Sequence, residues 1–145
     1  MKVATLRLLA RLNQPELDAA RANVRDCEQR IEALDTALAA DLQALPNEIA
    51  AGRTAEDIVT LGLWLQARQA GRRVAEDMRQ GLLREREQLR EIMFERHREV
   101  KRIETLAERA QRAEDEARRQ SEARALDEIA AIRHANRQRA DSSRR

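Results

Sequence analysis

Three kinds of side chain in this 145-residue chain could do chemistry: a single cysteine, two histidines and short runs of acids. Paired histidines can hold a divalent metal or pass a proton. His97 and His134 would share one helix, about 55 Å apart at 1.5 Å per residue, too far to bind one ion. Each reads as a solvent-facing helical residue. Glu114-Asp115-Glu116 could supply general acid–base chemistry, but Arg112, Arg118 and Arg119 flank it. Spacings of one helical turn between acid and arginine favour ion pairs along a solvated face. Cys27 has no second cysteine to bond, which fits a reducing compartment, and a free thiol among apolar neighbours behaves as a small hydrophobe. The chain carries no phosphate-binding loop, nucleophile elbow or cysteine pair. The expectation is a protein that is not an enzyme and uses no metal and no cofactor.

The elements that would position these residues are helices. From Leu17 the seam runs through Ala20, Val24, Cys27, Ile31, Leu34 and Leu38, in alternating steps of three and four. This is the spacing of a coiled-coil seam. The register extends backward through Asn13, Ala10, Leu6 and Val3. Charged residues make up 37% and aromatics 1%, with Trp64 and Phe94 the only two. Such a composition also marks disorder, but a disordered chain has no reason to keep a three–four register. Net charge is +2, too small for general nucleic-acid binding. Charge is nevertheless unevenly spread. Glu32, Asp35, Asp41 and Glu48 occupy a stretch without basic residues, and arginines crowd the C-terminus. No apolar run is long enough to span a membrane. Arg7 and Arg11 interrupt any signal-peptide core at the N-terminus, which reads as an amphipathic helix.

The expected fold is all-α, a single coiled-coil domain over residues 1–145 made of two long helices in an antiparallel coiled-coil hairpin. Helix A covers about 3–44, with a kink at Pro15 and a stutter where the seam passes from Leu38 to Leu42 and Leu45. Pro46, Asn47 and Gly52 mark a connection over 45–54. Thr54 and Asp57 form a variant capping box, and helix B runs over about 55–140, ending in a frayed basic tail at 141–145. Gly62, Gly71 and Gly81 weaken helix B locally. Facing residues would then have numbers adding to about 99, setting Leu34 against Leu65, Leu17 against Leu82 and Cys27 against Gly71 or Arg72. Helix A would run out opposite residue 96. Val100, Ile103, Leu106, Ala110, Ala113 and Ala117 would continue an apolar stripe along an overhang of about 49 residues, which implies first a partner, otherwise a self-association or a shifted hairpin in which residues 45–70 fold back as a tip. Trp64, one or two turns past the connection, is either a docking residue or a cap on the seam against Leu42 or Leu45.

The segment KRIETLAERAQRAEDEARRQSEARALDEIAAIRHAN, residues 101–136, resembles the C-terminal helix of the FliJ family of flagellar export proteins. The residues that carry the likeness are Lys101, Glu104, Leu106, Glu108 and Arg109, then Glu122, Leu126-Asp127-Glu128 and Arg133. Thr5-Leu6, Leu9-Ala10 and the Ala51-Gly52 to Thr54 connection are also similar. The stalk proteins of virulence-type secretion systems, the YscO group, match nearly as well. The resemblance implies a non-enzymatic, cytoplasmic stalk at the inner face of the inner membrane. Its partners would be a hexameric export ATPase, the cytoplasmic domain of the export gate and export chaperones, with no nucleic acid. The helix ends would meet the ATPase through Arg7, Arg11, Arg124, Asp127, Glu128, Arg133 and Arg137. The hairpin side would meet the gate through Leu34, Asp41, Trp64 and Arg68. The alternatives are a virulence-type stalk and a homo-oligomeric structural coiled coil.

Overall fold

The computed structural model describes residues 2–51 and 58–142. Two α-helices account for nearly all of them: α1, Val3–Ala51, and α2, Ile58–Ser142. They pack against each other as an all-α helical hairpin, and no strand occurs among the described residues. The chain divides into two compact units. One takes residues 13–99, and the other takes residues up to 12 with those from 100 onward.

In the unit of residues 13–99, α1 buries the expected seam. Leu17, Ala20, Val24, Cys27 and Ile31 are all buried, with Leu17 2% exposed and Cys27 fully enclosed. Leu34 and Leu38 follow at half-burial. The two helices run in opposite directions, because their ion pairs climb one helix while descending the other. Glu16 meets Arg96 at 3.1 Å, Glu28 meets Arg90 at 2.9 Å, Arg30 meets Glu85 at 3.0 Å, and Asp41 meets Arg72 at 2.8 Å.

The register differs from the expected one. The Cys27 thiol donates to the Leu82 carbonyl oxygen at 3.4 Å, where Gly71 or Arg72 was expected. Leu82 therefore lies opposite Cys27 and not opposite Leu17. Arg79 pairs with Asp35, and Arg68 with both Asp41 and Glu48. The cause is the end of α1. Helix A was expected to stop near residue 44, but α1 continues through Pro46 to Ala51. The capping pair Thr54 and Asp57 lies outside the described residues.

Pro46 is tolerated for two reasons. It sits on the exposed side of α1, where water can satisfy the Leu42 carbonyl that loses its helical donor. Ala44, Leu45, Glu48 and Ile49 also remain half-buried on the side facing α2, so the apolar stripe supports another turn. Pro15 is likewise exposed and lies within the same uninterrupted helix.

The expected stutter at Leu42 is absent. Leu42 is 54% exposed, and half-buried Asp41 takes the seam position instead. An acid fits there because Arg68 and Arg72, one turn apart on α2, both close on it. Asp35, Asp41 and Glu48 of the acidic stretch are thus paired with arginines of α2, while Glu32 is exposed.

In the second unit, the first turns of α1 pack on α2. Val3 and Leu6 are buried together with Val100 and Ala107, while Ala10, Ile103 and Ala110 are half-buried. Arg7 donates to Gln111 at 3.4 Å, so helix A does not run out at residue 96 but reaches residue 111. Leu106 lies outside the packed stripe at 45% exposure. The uncovered part of α2 begins after half-buried Asp115, and its described side chains are exposed from Glu116 to Ser142.

Candidate functional site

Every residue expected at the helix ends falls in the unit containing residues 100–142, and all are exposed. They form two groups. Arg7 and Arg11 stand one turn apart on α1 and line an open groove of about 610 Å³ with Glu104, Glu108, Gln111 and Arg112 of α2. The acids there are partly engaged. Glu104 accepts from Lys101 at 2.7 Å and Glu108 lies 4.0 Å from Arg112. No ion pair of Arg7 or Arg11 occurs among the described residues, so the groove presents cationic donors suited to a carboxylate. Arg124, Asp127, Glu128, Arg133 and Arg137 lie further along α2. Arg124 is 13 positions beyond Gln111, about 20 Å at helical rise, so the structure does not gather the two groups into one site.

The tip-side residues behave differently. Asp41, Arg68 and Arg72 form a half-buried cluster with Glu48, and the Arg68 guanidinium lies 4.9 Å from the centre of the Trp64 ring. A cation over an indole face is attracted by the ring's quadrupole. Leu34 lines the same crevice, beside Ala37, Leu38, Gly71 and Ala75. Leu34, Asp41, Trp64 and Arg68 are therefore brought together, but Asp41 and Arg68 are spent on each other. The neighbouring Leu63, at 65% exposure, is the freer apolar group.

Hydrogen bonds from Arg72 and then Arg68 hold the Asp41 carboxyl below its ordinary value. A native value below the unfolded one means that the charged acid stabilises the fold above about pH 4, and that this contribution is lost as pH falls through the lowered value. Asp41→Asn is expected to lower Tm at pH 7. It should also shrink the fall in Tm between pH 7 and pH 3, followed by circular dichroism. An unchanged pH profile would show that Asp41 carries no linked stability.

The remaining reactive groups are placed structurally. Burial pushes the Cys27 thiol up from its ordinary value, with Glu85 adding to the effect, which suits a neutral S–H donating to a carbonyl. His97 is half-buried rather than solvent-facing, and His134 is exposed, with Gln138 at 3.1 Å. Asp115 pairs with Arg118 at 3.0 Å, three positions on. No cluster of three or more metal-ligating side chains occurs among the described residues. No family model matches this chain, and no curated protein or solved structure does.

One surface was read in the sequence only at Leu63, which with Trp64 was expected to point partly outward. Val59, Leu63, Val74 and Met78 are between 59% and 78% exposed, and Ala67 and Ala70, also exposed, fill the steps between them. Together they make a second three–four stripe on α2, away from the seam. A count of both stripes would have found it. The stronger seam signal through Leu61 and Leu65 masked it.

Proposed function

We propose that this chain is a non-enzymatic stalk component of a type III protein export apparatus. It promotes assembly of the hexameric export ATPase and links that ring to the export gate and its chaperones, at the cytoplasmic face of the inner membrane. The observation that carries the reading is the uncovered end of α2. From Glu116 onward the described side chains of the helix are exposed. Leu126, Ile129 and Ile132 are 66%, 47% and 61% exposed among Arg124, Asp127, Glu128, Arg133 and Arg137. Helices of this length draw most of their stability from packing an apolar face. Mixed charge around apolar anchors suits insertion between protein surfaces. The helical hairpin and the carboxylate-accepting groove at Arg7 and Arg11 are compatible with the same role, and the resemblance of residues 101–136 to the FliJ family names the partner. No helix among the described residues is long and apolar enough to cross a membrane, so attachment at the membrane would run through partners.

The test is turnover of the export ATPase of the same cell, with and without this protein, alongside light scattering for ring assembly. Stimulated turnover with hexamer formation is expected. Removing residues 118–145 should abolish both, while helicity of the remaining chain persists. An ATPase that turns over and assembles equally well without this protein would overturn the proposal.

A further inference from the structure

The charge pattern of the uncovered α2 end also suits a second occupant, which would compete with the export ATPase for the same face. At 100° per residue, Arg118, Glu122, Ala125, Leu126, Ile129, Ile132, Arg133 and Asn136 fall within an arc of about 120°. This strip is apolar at its middle and polar at both ends. Its charge is also segregated along the helix. Of the residues in this strip Glu122 is the acid, and it lies before Ile129. Residues 131–140 contain Arg133, Arg137 and Arg139 and no acid. Glu122 stands seven positions before Ile129, and Arg133 and Arg137 stand four and eight after it, so an acid and two bases on opposite sides of the apolar patch are complementary when the helix is reversed.

We infer that two copies of this chain associate through residues 116–140 of α2, antiparallel about a two-fold axis at Ile129. The registration follows from the residues. Ile129 meets its own copy on the axis, Leu126 lies level with Ile132 of the second copy on the opposite flank, and Ala125 lies about 1.5 Å from that Ile132 in axial height on the same flank. Glu122 then lies level with Asn136 of the second copy. Its carboxylate is about 1.5 Å in axial height from Arg137 and about 4.5 Å from Arg133 at helical rise, within reach of both guanidiniums. A two-fold axis perpendicular to the helices sets like flanks together, and Glu122 and Arg133 share a flank. The symmetry makes each contact twice. Arg118 falls over Ala140, and Arg139 of the second copy lies about 1.5 Å from it in axial height on the same flank, a like-charge contact at each end that weakens the dimer. A parallel pair would set Glu122 on Glu122 and Arg133 on Arg133, which is repulsive. With three large apolar residues per copy the interface is small, so the dimer should be weak and concentration-dependent.

Sedimentation equilibrium of the full chain alone tests this without reference to the ATPase. A monomer–dimer equilibrium is expected. Ile129→Asp should weaken it by at least about tenfold without loss of helicity in the monomer. Glu122→Arg should weaken it too, and the same chain carrying Glu122→Arg with Arg133→Glu and Arg137→Glu should recover. Cysteine crosslinking in a Cys27→Ala background fixes the direction. Ile129→Cys should link to itself. Glu122→Cys should link to Asn136→Cys chains but not to itself, because like positions there lie about 21 Å apart along the pair. A chain that stays monomeric at every concentration overturns the inference, as does self-linking of Glu122→Cys. Either result leaves the ATPase experiment untouched.

Discussion

Leu17→Ala is expected to cost about 2–5 kcal/mol, the range for emptying a leucine site in a packed core. Chemical denaturation of the full chain, read by far-UV circular dichroism, is the measurement. Leu17 is 2% exposed, the least exposed leucine in the chain's core. Its level on α2 is set by Glu16, whose carboxylate holds Arg96 at 3.1 Å. Two helices in contact offer little surrounding structure to collapse into the void, which places the expected value in the upper part of the range. The comparison that makes the test decisive is Leu42→Ala. Heptad counting from the apolar residues alone makes Leu42 a seam residue, but it is 54% exposed. Its truncation should change stability by less than about 0.5 kcal/mol. Equal losses at the two leucines would contradict the burial pattern.

That pair of leucines shows what was readable in the residues. The seam of α1 from Val3 to Leu38 was legible, because every third or fourth residue is apolar or small and a helix needs nothing further to present them on one face. The seam of α2 was harder, because Arg68, Arg72, Arg79 and Arg86 stand half-buried along its length. Long arginine stems lie against apolar surface, while the charged ends of Arg68, Arg72 and Arg79 reach acids on α1 and that of Arg86 reaches Glu87 beside it. A periodicity count treats such residues as solvent-facing and cannot see the α1 acids that license Arg68, Arg72 and Arg79. The same blindness put Leu42 in the seam and Asp41 outside it.

The register failed for a different reason. Pro46 is a strong local stop signal, but its cost is limited when the lost donor faces water. The half-buried turn from Leu45 to Ile49 offsets what remains. A helix end placed seven residues early shifts every facing pair along α2, which is why Cys27 met Leu82. Antiparallel pairing was recoverable, because a short connection leaves two long helices no other arrangement. The exposure of Arg124, Arg133 and Arg137 was recoverable in the same way. The availability of Asp41 and Arg68 was not, since it depends on which residues face each other.

Replacing Gly62, Gly71 and Gly81 together by alanine is expected to raise stability by about 2–3 kcal/mol, from about 0.8–1 kcal/mol at each helix-interior position. Read as a thermal midpoint, that is a rise on the order of 10 °C. The space is available, since a Cβ at any of the three meets no atom within 4 Å. None of the three has a positive φ, so the backbone does not require glycine. The sequence register argues against one of these changes, because setting Gly71 or Arg72 against Cys27 goes with a bend or a close approach of the helices there. The observed register removes that constraint. The sites are nine and ten positions apart, about 14–15 Å along α2, far enough for the single effects to add. Thermal unfolding of the three single variants and the triple checks both magnitude and additivity. A loss of stability at Gly71 alone would restore the close helix approach there and contradict the pairing of Cys27 with Leu82.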